Sequence, residues 1–121
     1  MFNLFNKKEE EPQNLEEALK EIKSLRKEVQ MVSKELEILK KESKFFVQKI
    51  GIIRYNPFSN VGSDQSFSLA LLDANNNGIV ITSLFSQEGN RVYGKSVKNS
   101  VSEYILSEEE KKAIEKAIQK L

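Results

Sequence analysis

The chain has 121 residues, 31% of them charged, with 19 Lys and Arg against 18 Asp and Glu and neither histidine nor cysteine. That excludes a disulfide framework, a thiolate nucleophile, an imidazole base and a Cys/His zinc site. The charge is balanced in residues 1–45 and in 46–121 alike, which argues against a bulk electrostatic nucleic-acid binder.

No apolar run approaches the roughly 18 to 20 residues that span a bilayer, and the start lacks a secretory apolar core. The expected location is cytoplasmic, and no cofactor is expected. Residues 1–13 read as a flexible tail. Phe2, Leu4 and Phe5 stand ahead of Lys7 and Lys8, a pattern that also suits a weak interfacial anchor at the inner face of the membrane, effective only if multiplied by oligomerisation. The acidic Glu9-Glu10-Glu11 beside it favours the tail.

Residues 14–45 carry a heptad stripe. Its core positions are Leu15 and Ala18, Ile22 and Leu25, Val29 and Val32, Leu36 and Leu39, then Ser43 and Phe46. A two-residue seam repeating every 3.5 residues is too narrow for an ordinary globular core and fits a coiled-coil helix. Asn14 is placed to cap that helix, with Glu17 three residues later reaching back, and Pro12 stops it upstream. The alternative, a long amphipathic helix folded back on its own head, would leave much of the stripe uncovered by so small a head.

Flanking charges orient the pairing. Parallel strands set Glu21 against Arg26 and Glu35 against Lys40 of a second copy, whereas antiparallel strands set Glu against Glu. Each such exposed pair contributes only a few tenths of a kcal/mol, but avoided repulsion discriminates as well. A parallel homodimer is expected, and Val32 and Leu36 keep a trimer as the alternative.

Residues 46–121 form the head. After Phe46 the period changes to two, giving strands over Phe46 to Tyr55, Ser66 to Asp73, Ile79 to Ser86 and Arg91 to Val97, with Val101 to Ile105 as a short fifth. In the second strand Phe67, Leu69 and Leu71 share one face, and Ser66, Ser68, Ala70 and Leu72 the other. Ser107-Glu108-Glu109-Glu110 is a capping box that opens a last helix, whose Ile114, Ala117, Ile118 and Leu121 can cover a sheet face. The expected fold is α+β: a long N-terminal coiled-coil helix, a small antiparallel meander of four to five strands, and a C-terminal helix packed on the sheet.

The order Arg54-Tyr55-Asn56-Pro57-Phe58, Val61-Gly62-Ser63-Asp64-Gln65-Ser66-Phe67-Ser68-Leu69-Ala70-Leu71-Leu72-Asp73, Asn77-Gly78, Arg91-Val92-Tyr93-Gly94-Lys95 and Ser102-Glu103-Tyr104-Ile105-Leu106-Ser107-Glu108 resembles the bacterial family called domain of unknown function 4446, from Phe46 onward. The resemblance implies no activity. Members of that family typically begin with a membrane-spanning helix followed by a coiled-coil-like segment, and here only Phe2, Leu4 and Phe5 stand in that place.

Three motifs bear on chemistry. Asp73-Ala74-Asn75-Asn76-Asn77-Gly78 matches half of a calcium loop, but Leu84 stands where the bidentate Glu is required. A hairpin turn at Asn77-Gly78 is the better reading. Arg91, Tyr93 and Lys95 alternate and so share a face. With Arg54, Tyr55 and the backbone amides of Gly62 and Ser63 they form the sharpest ligand hypothesis, an anion site; the alternative is that these cations pair with Asp64, Asp73, Glu88 or Glu103. Asp64, Asp73 and Glu88 show no paired spacing for acid–base work, so no catalytic residue is assigned. The expected function is a non-enzymatic homo-oligomeric scaffold whose β-rich head binds a protein partner that the sequence does not specify. The alternative is a module for small anions or nucleic acid.

Overall fold

A computed structural model describes residues 11–57 and 65–119. The chain divides into two compact units, Met1–Leu39 and Lys40–Leu121.

Helix α1 spans Leu15–Ser43. Asn14 Oδ1 accepts from the Glu17 N–H at 2.8 Å, as capping requires, but the Glu17 carboxylate reaches back one residue further than expected, to the Gln13 N–H at 2.7 Å. None of its residues is buried. The helix ends three residues before Phe46, so the last seam position lies outside it. Tight turns take over, with the N–H groups of Phe45 and Phe46 donating to the carbonyls of Glu42 and Ser43, and the Gln48 side-chain amide donates to the Ser43 carbonyl.

Four antiparallel strands follow in sequence order: β1 Lys49–Tyr55, β2 Ser66–Leu72, β3 Gly78–Ser86 and β4 Gly89–Val97. The β2–β3 and β3–β4 connections are short, which favours antiparallel neighbours. Between β2 and β3 the turn is organised by Asp73, whose carboxylate accepts from the N–H groups of Asn75 and Asn77 at 2.8 and 3.0 Å. The left-handed residue is Asn76, at φ 62°, and not the Asn77-Gly78 pair that the sequence suggests. Gly78 is required for another reason: a Cβ there would lie 1.9 Å from the Leu71 carbonyl oxygen.

The suggested fifth strand does not form. Val101 makes a single bridge back to Lys98 across Asn99 and Ser100, both at positive φ, and the chain then crosses to its last helix. One bridge satisfies too few backbone groups to hold a strand, and Ile105 is left exposed.

Helix α2, Glu108–Ile118, begins with the expected capping box between Ser107 and Glu110. It packs on one face of the sheet. The core there comprises Ala70, Leu72, Val80, Val97, Ala113, Ile114 and Ala117, flanked by Ile53, Leu106 and Ile118. In β2 the buried face is Ser66, Ser68, Ala70 and Leu72, while the more apolar Phe67, Leu69 and Leu71 stay half-buried on the far face. Small side chains let the helix approach closely, and the packing gained there outweighs the hydroxyls that it buries. Replacing Ser107 with Ala should lower head stability by about 1 kcal/mol, read as the shift of the urea midpoint.

Among the described residues, no helix is long and apolar enough to cross a membrane.

Candidate functional site

The buried polar side chains on the inner sheet face need partners, and they find them in one another. Ser68 on β2 stands beside Thr82 on β3 in the register, and their hydroxyls lie 2.7 Å apart. Thr82 donates to Glu110 Oε2 at 2.7 Å. Glu110 is 1% exposed, and its other oxygen accepts from the Lys95 ammonium and from the Ser107 N–H, each at 2.8 Å. Lys95 also donates to the Ile105 carbonyl at 2.7 Å. At the outer end of the chain the Tyr55 hydroxyl lies 3.4 Å from Ser68.

The direction of these bonds follows from Glu110. A carboxylate only accepts, so Thr82 must give it its one hydrogen. Ser68 therefore donates to Thr82, and Tyr55 donates to Ser68. Burial by itself raises the Glu110 pKa, but the Lys95 ammonium, the Ser107 amide and the Thr82 hydroxyl outweigh it and hold the group below its ordinary value of 4.5. A carboxylate holding three donors on two oxygens is poorly placed to act as a base. The arrangement fastens α2 to β3 and β4.

Among the described residues of the anion-site hypothesis, Arg54 does not converge with Arg91 and Lys95. In the register Arg54 pairs with Phe67 and belongs to the outer face, whereas Lys95 pairs with Val80 on the inner face. Arg54 also lies on β1, at the opposite edge of the sheet from β4. Arg91 and Tyr93 share the parity of Lys95, as expected, and are exposed. Gly62 and Ser63 lie outside the described residues, as does Asp64. Lys95 pairs with Glu110, which was not among the suggested partners. Sequence reasoning read Glu110 as a cap alone; the available signal was that a capping-box carboxylate has a second oxygen, here one aimed into the sheet. Among the described residues no group of three or more acidic side chains is placed to hold a metal ion.

The outer sheet face is a second candidate surface. The register lines up Ile50, Leu71 and Ile79 in one row and Ile52, Leu69 and Ile81 in the next. Ile50, Ile52 and Ile79 are exposed.

A family model described as a protein of unknown function (DUF4446) matches residues 2–118, so the match takes in α1 as well as the head. No curated protein and no solved structure matches the chain.

Proposed function

We propose, from the premise that this chain belongs to the DUF4446 family, that it is a non-enzymatic, homo-oligomeric interaction module in which α1 pairs in parallel with a second copy and gathers two heads to hold a protein partner. The observation that carries this reading is that α1 buries none of its 29 residues although it bears the heptad seam. Val29 is 62% exposed, and Leu25, Leu36 and Leu39 are about half exposed. Soluble chains rarely leave so long an apolar stripe open to water. The seam available to the helix runs from Leu15 to Leu39, since α1 ends at Ser43. Glu21 with Arg26 and Glu35 with Lys40 of the partner favour the parallel arrangement.

Light scattering on the whole protein tests the proposal. The expected mass is twice 13.9 kDa, with three times that value marking a trimer. Replacing Val29 and Leu36 together by Lys should return the mass to 13.9 kDa while leaving the near-ultraviolet circular dichroism of the head unchanged. A monomeric unmodified protein would overturn the reading.

A further inference from the structure

Asn77-Gly78 is not the left-handed turn between β2 and β3, yet the fold has a separate use for each of the two residues. Gly78 begins β3, paired with Leu72 on β2 and with Val97 on β4, and the Leu71 carbonyl oxygen occupies the space of its missing Cβ. Asn77 is held through three polar groups. Its N–H donates to the Asp73 carboxylate at 3.0 Å, its carbonyl accepts from the Asp73 N–H at 2.8 Å, and its side-chain Oδ1 accepts from the Asn99 N–H at 2.7 Å. Beside it, the Asn76 carbonyl accepts from the Ser100 N–H at 3.0 Å. Asn99 and Ser100 stand at φ 50° and 72°, so Asn76 and Asn77 clamp a left-handed turn whose amides find their acceptors there.

Asn-Gly is also the dipeptide in which an asparagine side chain is most open to attack by the next residue's nitrogen, because glycine has no Cβ in the way. We infer that Asn77 is a deamidation site that the folded head holds shut and that local opening of this clamp releases. In the reaction the Gly78 nitrogen bonds to Asn77 Cγ, the bond from Cγ to the side-chain nitrogen breaks, and that nitrogen leaves as ammonia with the proton of the Gly78 N–H. Water then opens the cyclic imide, at Cγ to give aspartate or at the main-chain carbonyl to give isoaspartate. One water is consumed, one ammonia is released, and nothing is oxidised or reduced. Ring closure swings Cγ onto the Gly78 nitrogen, which pulls Oδ1 off the Asn99 N–H and turns the backbone against its two bonds with Asp73. Three hydrogen bonds of ordinary net strength slow that step on the order of 100-fold, and an opening confined to them leaves the rest of the sheet paired. The isoaspartyl product does not fit back. It adds a methylene to the main chain just before Gly78, where the Leu71 carbonyl already leaves no room for a Cβ. The inference is independent of the α1 pairing, since every residue in it lies in the Lys40–Leu121 unit.

The test incubates the full chain in mildly alkaline buffer, native and in unfolding urea, and peptide mass spectrometry with fragmentation counts the aspartate and isoaspartate formed at each asparagine. In urea Asn77 should react faster than Asn75, Asn76 and Asn99, and the native protein should be slower at Asn77 on the order of 100-fold. An unfolded chain in which Asn77 is no faster than those three would overturn the site. A native rate equal to or above the unfolded one would overturn the clamp. Asp73→Ala removes the acceptor of the Asn77 N–H and should raise the native rate about tenfold with the near-ultraviolet circular dichroism kept; an unchanged rate would also overturn the clamp. Rates in urea well below the unfolding midpoint test the same point without a variant that has to fold. A local opening exposes little surface, so the rate should stay level there, whereas a rate that climbs in step with global unfolding would overturn local gating. The isoaspartyl form, separated by chromatography, should unfold at a lower urea midpoint than the unreacted protein, and an equal midpoint would overturn the misfit of the product.

Discussion

Replacing Glu110 with Ala is expected to lower the stability of the head by about 3 kcal/mol, the lower end of the range for removing one partner of a buried ion pair. Glu110 is essentially dry, whereas the Lys95 side chain keeps 22% of its surface in water and can partly rehydrate when the carboxylate is lost. The Ser107 N–H and the Thr82 hydroxyl lose their acceptor in the same step. In a domain of this size the change amounts to roughly 15 °C in Tm.

Glu110→Gln is the more informative variant. Its carbonyl can still accept from Lys95 and Ser107 while its amide turns to Thr82, which must then accept. Thr82 would donate to Ser68 and Ser68 to Tyr55, reversing every hydroxyl in the chain. The expected loss is smaller, about 1 to 2 kcal/mol, because hydrogen bonds survive and the charge does not. Urea unfolding of the three proteins checks the order. A loss below about 1 kcal/mol for the Ala variant would show that the network is not a fastening.

The pH dependence has a definite sign. The folded pKa of Glu110 lies below its ordinary value of 4.5, so the unfolded chain binds more protons in the interval between the two. The stabilisation is fully present above 4.5 and is lost as pH falls through the folded pKa. Thermal unfolding should therefore show the advantage of the unmodified protein over Glu110→Gln at neutral pH shrinking on acidification below 4.5.

Gly51→Ala should be the most damaging single-methyl change in the head. A Cβ at Gly51 would lie 2.2 Å from the Ala113 carbonyl oxygen and 2.5 Å from the Ala117 nitrogen, both in the backbone of α2. No rotamer relieves that contact. The helix must lift, opening its contacts with Ala70 and Leu72 and stretching the bond from Thr82 to Glu110. The expected cost is about 3 kcal/mol, the upper end of what overpacking usually gives and a large share of a small domain's total stability. Gly94→Ala is the control, since nothing lies within 4 Å of the added atom. It should be neutral or stabilising by about 0.5 kcal/mol, as glycine inside a strand is entropically unfavourable. Urea midpoints of the two variants check the contrast, and equal midpoints would contradict the close packing of α2 on β1.

The presence of a turn between β2 and β3, the Ser107 capping box and the change of period after Phe46 were legible because each is encoded within a few residues, although the turn is built on Asp73 and Asn76 and not on Asn77-Gly78. The limits of all four strands moved by one to three residues from their expected positions, as hydrogen-bonded ends do. The candidate site was less legible. Arg54, Arg91 and Lys95 are all cations in strands, but whether two strands aim their side chains the same way depends on register. Once β1 pairs Arg54 with Phe67, and β3 pairs Val80 with Lys95, the cations part.

By itself the sequence determined the long α1, the four strands, the capped α2 and the membership of the head in a recognisable family pattern. Local periodicity and local capping are sufficient for each element. Only the tertiary structure decided which sheet face is inside. Both faces of β2 carry enough apolar surface to be buried, and the choice went to the less apolar one because Gly51, Ala70, Ala113 and Ala117 let a helix lie close there. That close approach brings Glu110 of α2 onto Thr82 of β3 and Lys95 of β4, and it sets α2 on the sheet face opposite the rows of Ile50 and Ile52.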